Sequence, residues 1–123
     1  MAEHNHTGKQ GEEMAAQFLR IKGYEIIALN KRFGRAEVDI IARIGLETVF
    51  VEVKTRSSEV YGYPEESVNN KKISLLAKAA EAFALENPSV SDIRFDLISI
   101  VLGANEPEIT HIEDAFFPDG EWF

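Results

Sequence analysis

Ala36-Glu37-Val38-Asp39-Ile40-Ile41-Ala42-Arg43 and Val49-Phe50-Val51-Glu52-Val53-Lys54-Thr55-Arg56 decide how this chain folds. Both alternate apolar with charged residues, the period of a β-strand. Between them Ile44-Gly45-Leu46-Glu47 offers glycine at the first central position of a two-residue turn. A hairpin centred there sets Asp39 opposite Glu52 and Glu37 opposite Lys54. Directly opposed side chains have Cβ atoms about 5 Å apart, and two like charges at that spacing repel. A strand pair that sets carboxylate against carboxylate, with a lysine two residues on, suits a divalent cation. The alternative is the solvated face of an antiparallel sheet. Ile41 and Phe50, large and apolar on that same face, imply that a helix covers it in part, and the first helix is the expected cover. Val38, Ile40, Ala42, Val49, Val51 and Val53 form the expected core face.

Working outward, the spacing predicts a helix from near Lys9 to Ile21, closed by Gly23. Ala15, Ala16, Phe18 and Leu19 form its apolar side, and Glu12 falls on the same stripe. A carboxylate there is costly unless paired or bound to a cation, or it lies in the first turn because the helix dipole favours it. Tyr24 to Leu29 reads as a strand and Asn30 to Arg35 as a basic connection. Beyond the hairpin come a loop from Ser57 to Pro64 and a helix from about Ser67 to Glu86. Val68, Leu75, Leu76, Ala79, Ala80 and Phe83 form that helix's stripe, and Asn87-Pro88 ends it. Arg94 to Leu102, apolar on both faces, reads as an interior strand running parallel to the hairpin's second strand. Glu108 to Phe116 reads as an edge strand. The expected architecture is a mixed five-stranded α/β sheet flanked by helices, in the order αβββαββ.

The 123 residues suit one domain, residues 8–123, behind a frayed N-terminal tail at 1–7. The absence of cysteine excludes disulfides and thiolate metal sites. With no apolar h-region and no membrane-length apolar run, a cytoplasmic protein is the default. The net charge of −8 argues against nucleic acid until its distribution is considered. From Arg20 to Arg56 the balance is +3, and from Glu81 to Phe123 it is −9. A polyanion could meet the first region while the second repels it; an ordinary solvated surface explains the count equally well.

Hard cations such as Mg²⁺ and Mn²⁺ take oxygen ligands, often only one or two carboxylates from the protein. Asp39 and Glu52 supply these, and Lys54 lies within reach of a metal-bound water or phosphate oxygen. Metal-assisted phosphodiester hydrolysis is the matching reaction class. No other constellation competes. His4 and His6 lie in the tail, His111 is isolated on a late strand, and Trp122 and Phe123 suit terminal packing.

Gly8, Gly11-Glu12, Ala15, Leu19, Gly23-Tyr24, Asn30, Arg32, Glu37-Val38-Asp39, the run Phe50 to Arg56, Lys72, Ala80 and Arg94-Phe95-Asp96 resemble the YraN family of small bacterial proteins. The resemblance covers Gly8 to about Phe116. It implies a restriction-endonuclease-like fold of the PD-(D/E)XK nuclease superfamily, similar to archaeal Holliday-junction resolvases. Asp39 and Glu52 are then metal ligands for Mg²⁺ or Mn²⁺, Lys54 the catalytic lysine, and Glu12 the helical acid completing the metal shell. Glu37 is an accessory residue, and Lys31, Arg32, Arg35, Arg56 and Lys72 would meet nucleic acid. The chain departs from the family at Ala36, where glycine is usual. The implied partner is DNA in preference to RNA, with no membrane, and a homodimer suits a branched substrate because it needs two cuts. Two other readings stay open. One is a non-catalytic nucleic-acid-binding module. The other is a protein-interaction domain that uses Asp114, Asp119 and Glu121.

Overall fold

A computed structural model describes residues 2–57, 69–90, 92–103 and 105–115. Of the segments read from sequence, residues 58–64 of the expected loop, Val68, Phe116, Asp119, Glu121, Trp122 and Phe123 lie outside the described residues. The elements are α1 (Ala2–Ile21), β1 (Glu25–Phe33), β2 (Ala36–Ile44), β3 (Glu47–Arg56), α2 (Asn70–Glu86), β4 (Ile93–Val101) and β5 (Glu108–Ile112). The five strands form one sheet in sequence order; β3 and β4 run parallel and the other neighbours antiparallel. The expected order αβββαββ and the expected mixed sheet are both present. No helix among the described residues is long and apolar enough to cross a membrane.

Local chemistry explains most boundaries. Ile44 pairs with Glu47 across Gly45-Leu46, and Gly45 has φ 59, a left-handed value that glycine adopts without a Cβ clash. Asn69 caps α2 by accepting the Lys72 amide at 2.9 Å, and the Asn87 amide closes its far end on Phe83 and Ala84 carbonyls. Helix α1 begins at Ala2 rather than near Lys9, through the segment expected to be a tail; it contains no proline, and Gly8 costs a helix only about 1 kcal/mol relative to alanine. The basic connection expected at Asn30 to Arg35 is instead the end of β1, which turns into β2 through Gly34-Arg35 with Phe33 paired to Ala36. Charged residues are compatible with a strand there because β1 is a solvent-facing edge.

The sheet has two apolar layers. Ala15, Ala16 and Leu19 of α1 pack on Ile40, Ala42, Val49, Val51, Ile98 and Ile100. Ile73, Leu76, Ala79 and Phe83 of α2 pack on Val38, Ile41, Phe50, Phe95 and Leu97. The face carrying Ile41 and Phe50 is therefore covered by α2, not by α1 as expected. Both hairpin faces are apolar at their centre, so strand alternation cannot name the helix. The parallel β3–α2–β4 crossover commits α2 to one face, since such connections have one hand in nearly all folds. Val38 joins the α2 layer although Ile40 and Ala42 join the α1 layer, so the side-chain parity of β2 changes across Asp39.

Helix α1 approaches β3 closely at one point. A Cβ on Gly11 would overlap Thr55 Oγ1 and lie 2.9 Å from Thr55 Cβ. Gly11→Ala should lower stability by about 1–3 kcal/mol through overpacking, despite alanine's better helix propensity. Urea denaturation measures this, and a midpoint unchanged or raised would show that α1 does not sit as close to β3 as described.

A buried ionic cluster joins the last two strands to the α1–β1 junction. Asp96, 0% exposed, accepts from Arg94 Nε at 2.9 Å, from Arg94 Nη2 at 2.8 Å and from the Asp114 amide at 3.1 Å. His111 Nε2 lies 2.7 Å from Asp96 Oδ2, and Lys22 Nζ lies 2.8 Å from His111 Nδ1. An ammonium can only donate, so Nδ1 accepts and Nε2–H donates to Asp96. His111, isolated in the sequence, is thus a structural link. Hydrogen bonds from His111 and Arg94 hold the Asp96 carboxyl below the usual range against the opposing effect of burial.

Candidate active site

Asp39 and Glu52 stand one step beyond the pair Ile40–Val51, the last paired position in the β2–β3 ladder. The two strands part there. The Val53 amide donates to Asp39 Oδ2 at 2.8 Å. A side chain thus takes the place of the next rung, and the Asp39 carboxylate lies between the strands instead of on either face. Glu52, flanked on β3 by Val51 and Val53 of the α1 layer, reaches toward α2. Asp39 is 9% exposed and Glu52 4%.

Two lysines converge on Glu52. Lys54 Nζ lies 3.8 Å from Oε2, and Lys72 Nζ, from the first turn of α2, lies 3.5 Å from Oε1. Lys72 Nζ also donates to the Glu37 carbonyl at 3.3 Å. Both ion pairs are longer than the 2.7–2.9 Å of a charge-assisted hydrogen bond. Glu52 Oε1 is buried and has no hydrogen-bond partner among the described residues. An orphaned buried carboxylate oxygen is costly and asks for a ligand. Burial raises the Glu52 pKa to about 8, with the Asp39 charge adding to the rise and the lysines opposing it. Burial likewise raises Asp39, opposed chiefly by the Val53 amide. The two carboxyl groups titrate as a pair and resist carrying two negative charges.

The other sequence-predicted residues are more dispersed. Glu12 is half-buried on α1, where burial raises its pKa, a hydrogen bond from the Asn30 side chain opposes the rise, and Asp39 and Glu37 add to it. It is within the electrostatic field of Asp39, but among the described residues no three acidic or histidine side chains are grouped closely enough to hold a metal as they stand. Glu37 does not face Lys54; it lies 3.9 Å from Arg32 on β1. Lys31 and Arg35 are exposed beside it, Lys31 over the Phe33 ring, and Arg56 is half-buried at the end of β3.

Asn30, part of the family pattern, carries no role in the sequence reading. It has φ 51 inside a strand, and the pairs Leu29–Ile40 and Lys31–Val38 place it across from Asp39. Asparagine enters the left-handed region more readily than most residues. An asparagine among basic residues beside an acidic strand was the available signal.

The fold and this site define an α/β protein with a carboxylate pair and two lysines at a fork in its sheet. Residues 11–100 match the family described as "Uncharacterised protein family UPF0102", and the chain belongs to that family, the YraN family of the motifs above. A UPF0102 protein of Christiangramia forsetii is 47% identical over 117 residues, covering 95% of this chain and 98% of that one. UPF0102 protein FP2501 of Flavobacterium psychrophilum is 46% identical with the same coverage. Among solved structures, SfsA of Pyrococcus furiosus in complex with Ca²⁺ is similar over 89% of this chain and 63% of its own, at 16% identity and a TM-score of 0.37.

Proposed function

We propose that this chain is a Mg²⁺- or Mn²⁺-dependent nuclease of the PD-(D/E)XK type that hydrolyses phosphodiester bonds in DNA, with branched or otherwise structured DNA among its substrates. The observation that supports this most is the unpartnered, buried Oε1 of Glu52 beside Asp39, with Lys54 next to Glu52. Two carboxylates with no thiolate or imidazole suit a hard cation, which keeps several waters and takes the rest of its shell from substrate phosphate. Asp39 and Glu52 would hold it, and Glu12 would join from α1. When bound, the ion polarises the phosphoryl group and lowers the pKa of water.

The chain's own residues do the rest. The Val53 amide fixes the Asp39 carboxylate, so the ligand is oriented before anything binds. Lys54 shares the Glu52 face and is partly exposed, which lets its ammonium stabilise charge growing on the phosphate and orient the attacking water. Lys31, Arg32, Arg35, Arg56 and Lys72 would contact backbone phosphates. The acidic C-terminal third would stay away from the duplex.

The test uses purified chain, Mn²⁺ and labelled single-stranded, duplex, flap and four-way DNA. The expected result is metal-dependent cleavage of at least one substrate; a folded protein that cuts none defeats the enzymatic reading. One observation favours a second reading, a nucleic-acid-binding module without catalysis: two lysines, Lys54 and Lys72, stand at ion-pair distance from Glu52, a cationic surface suited to phosphate. Calorimetry separates the two. The nuclease should bind Mn²⁺ and lose that binding in Asp39→Ala, whereas the module binds DNA with salt sensitivity but no metal.

A further inference from the structure

Lys72 lies in the first turn of α2. Its amide is capped by Asn69 at 2.9 Å, so the base of its side chain is fixed. Its ammonium crosses to the β2–β3 fork and stands 3.5 Å from the one orphaned buried oxygen among the described residues, Glu52 Oε1. Coulomb attraction holds it there, but the distance is too long for a charge-assisted hydrogen bond. Its ammonium also donates to the Glu37 carbonyl at 3.3 Å and feels the Asp39 charge. Lys72 is therefore held by charge more than by geometry, and its side chain, 30% exposed, has an open route to solvent.

We propose that Lys72 is a place-holding cation, which occupies the Asp39–Glu52 site until a divalent metal displaces it and then serves as a phosphate contact beside that metal. The inference rests on the metal site proposed above. A metal ion bonds a carboxylate oxygen at about 2.0–2.1 Å, and an ammonium facing the same oxygen meets strong like-charge repulsion. The two cations compete for Oε1. Lys54 does not enter this competition, because it faces Oε2 from the same strand. Displaced, Lys72 stays anchored at the first turn of α2, next to where substrate phosphate would complete the metal shell. Lysine suits both tasks as a compact point charge on a flexible four-carbon stem.

The experiment is site-resolved acylation of lysines in the whole chain, read by mass spectrometry with and without Mn²⁺, with calorimetry run in parallel to establish metal uptake. Lys72 should be labelled at least threefold faster at saturating Mn²⁺, while exposed Lys71 is unchanged and Asp39→Asn shows no acceleration. Lys72→Gln should keep Mn²⁺ affinity within threefold of native or better, yet lose at least tenfold in DNA affinity with metal present. Calorimetric Mn²⁺ binding without any change at Lys72, or a Lys72→Gln variant that binds Mn²⁺ more than tenfold more weakly, overturns the place-holder role and leaves the metal site standing. A native chain that takes up no Mn²⁺ overturns both.

Discussion

Lys54→Ala should lower Mn²⁺-dependent DNA cleavage by roughly 10³-fold while moving the melting temperature by only a few degrees. The two effects separate because Lys54 contributes little to the fold. Its ammonium is partly exposed and 3.8 Å from Glu52, too far for a charge-assisted hydrogen bond, so little is lost when it is removed. In the transition state the same ammonium faces charge absent from the ground state, where its contribution is largest. Asp39 behaves differently. Asp39→Ala should also abolish cleavage, but it leaves the Val53 amide without its acceptor, a loss of about 1–3 kcal/mol. Asp39→Asn keeps an acceptor for that amide and is the cleaner probe. Single-turnover rates on the best-cut substrate, measured beside thermal melts, check all three variants. A Lys54→Ala enzyme within threefold of native would remove lysine from the proposed chemistry.

The metal-free protein should lose stability as pH rises from about 5 to 8.5, on the order of 2–4 kcal/mol. The sign follows from Glu52. Its carboxyl titrates near 4.5 when free in solution and near 8 in the fold, because burial and Asp39 oppose its ionisation. The folded chain therefore binds this proton more tightly than the unfolded chain does. The stabilisation is complete below about pH 4.5 and is lost progressively up to about pH 8, at roughly 1.4 kcal/mol per unit. Asp39, also raised, adds in the same direction. Asp96 has the opposite sign: its lowered pKa gives stability that is present above the ordinary carboxylate range and lost as pH falls through it. Urea denaturation with chelator present should thus show stability falling toward alkaline pH. Glu52→Gln should flatten that slope and exceed the native chain at pH 8. Saturating Mn²⁺ should flatten it too, because a bound cation replaces the proton. A native chain whose stability is constant or rises over this window contradicts the assignment of Glu52 as a buried, orphaned carboxyl.

The fork that carries both predictions was partly legible. Alternation along Ala36–Ile44 and Glu47–Arg56, with glycine at Gly45, was enough to place Asp39 against Glu52, because hairpin register depends on residues close in sequence. The ladder's end at Ile40–Val51 was not legible. It depends on the Asp39 side chain taking the Val53 amide, a choice between two acceptors that only the assembled strands present. Which helix covers Ile41 and Phe50 is not legible in the sequence, since either apolar stripe fits either face until the crossover is laid down. The strand at Asn30–Phe33 looks like a basic connection in the sequence because its charges are those of an exposed edge.

From its residue order alone this chain has its element types, its β-hairpin at Gly45, its parallel interior strand and the meeting of residues 39 and 52, all set by periodicity, turn stereochemistry and short-range register. Tertiary structure decided which helix lies on which layer, turned Asp39 into the gap between strands, brought Lys72 to Glu52 and joined His111 to Asp96 and Lys22. Those outcomes depend on contacts between residues far apart along the chain. Their energies come from burial and charge pairing that exist only once the layers have closed.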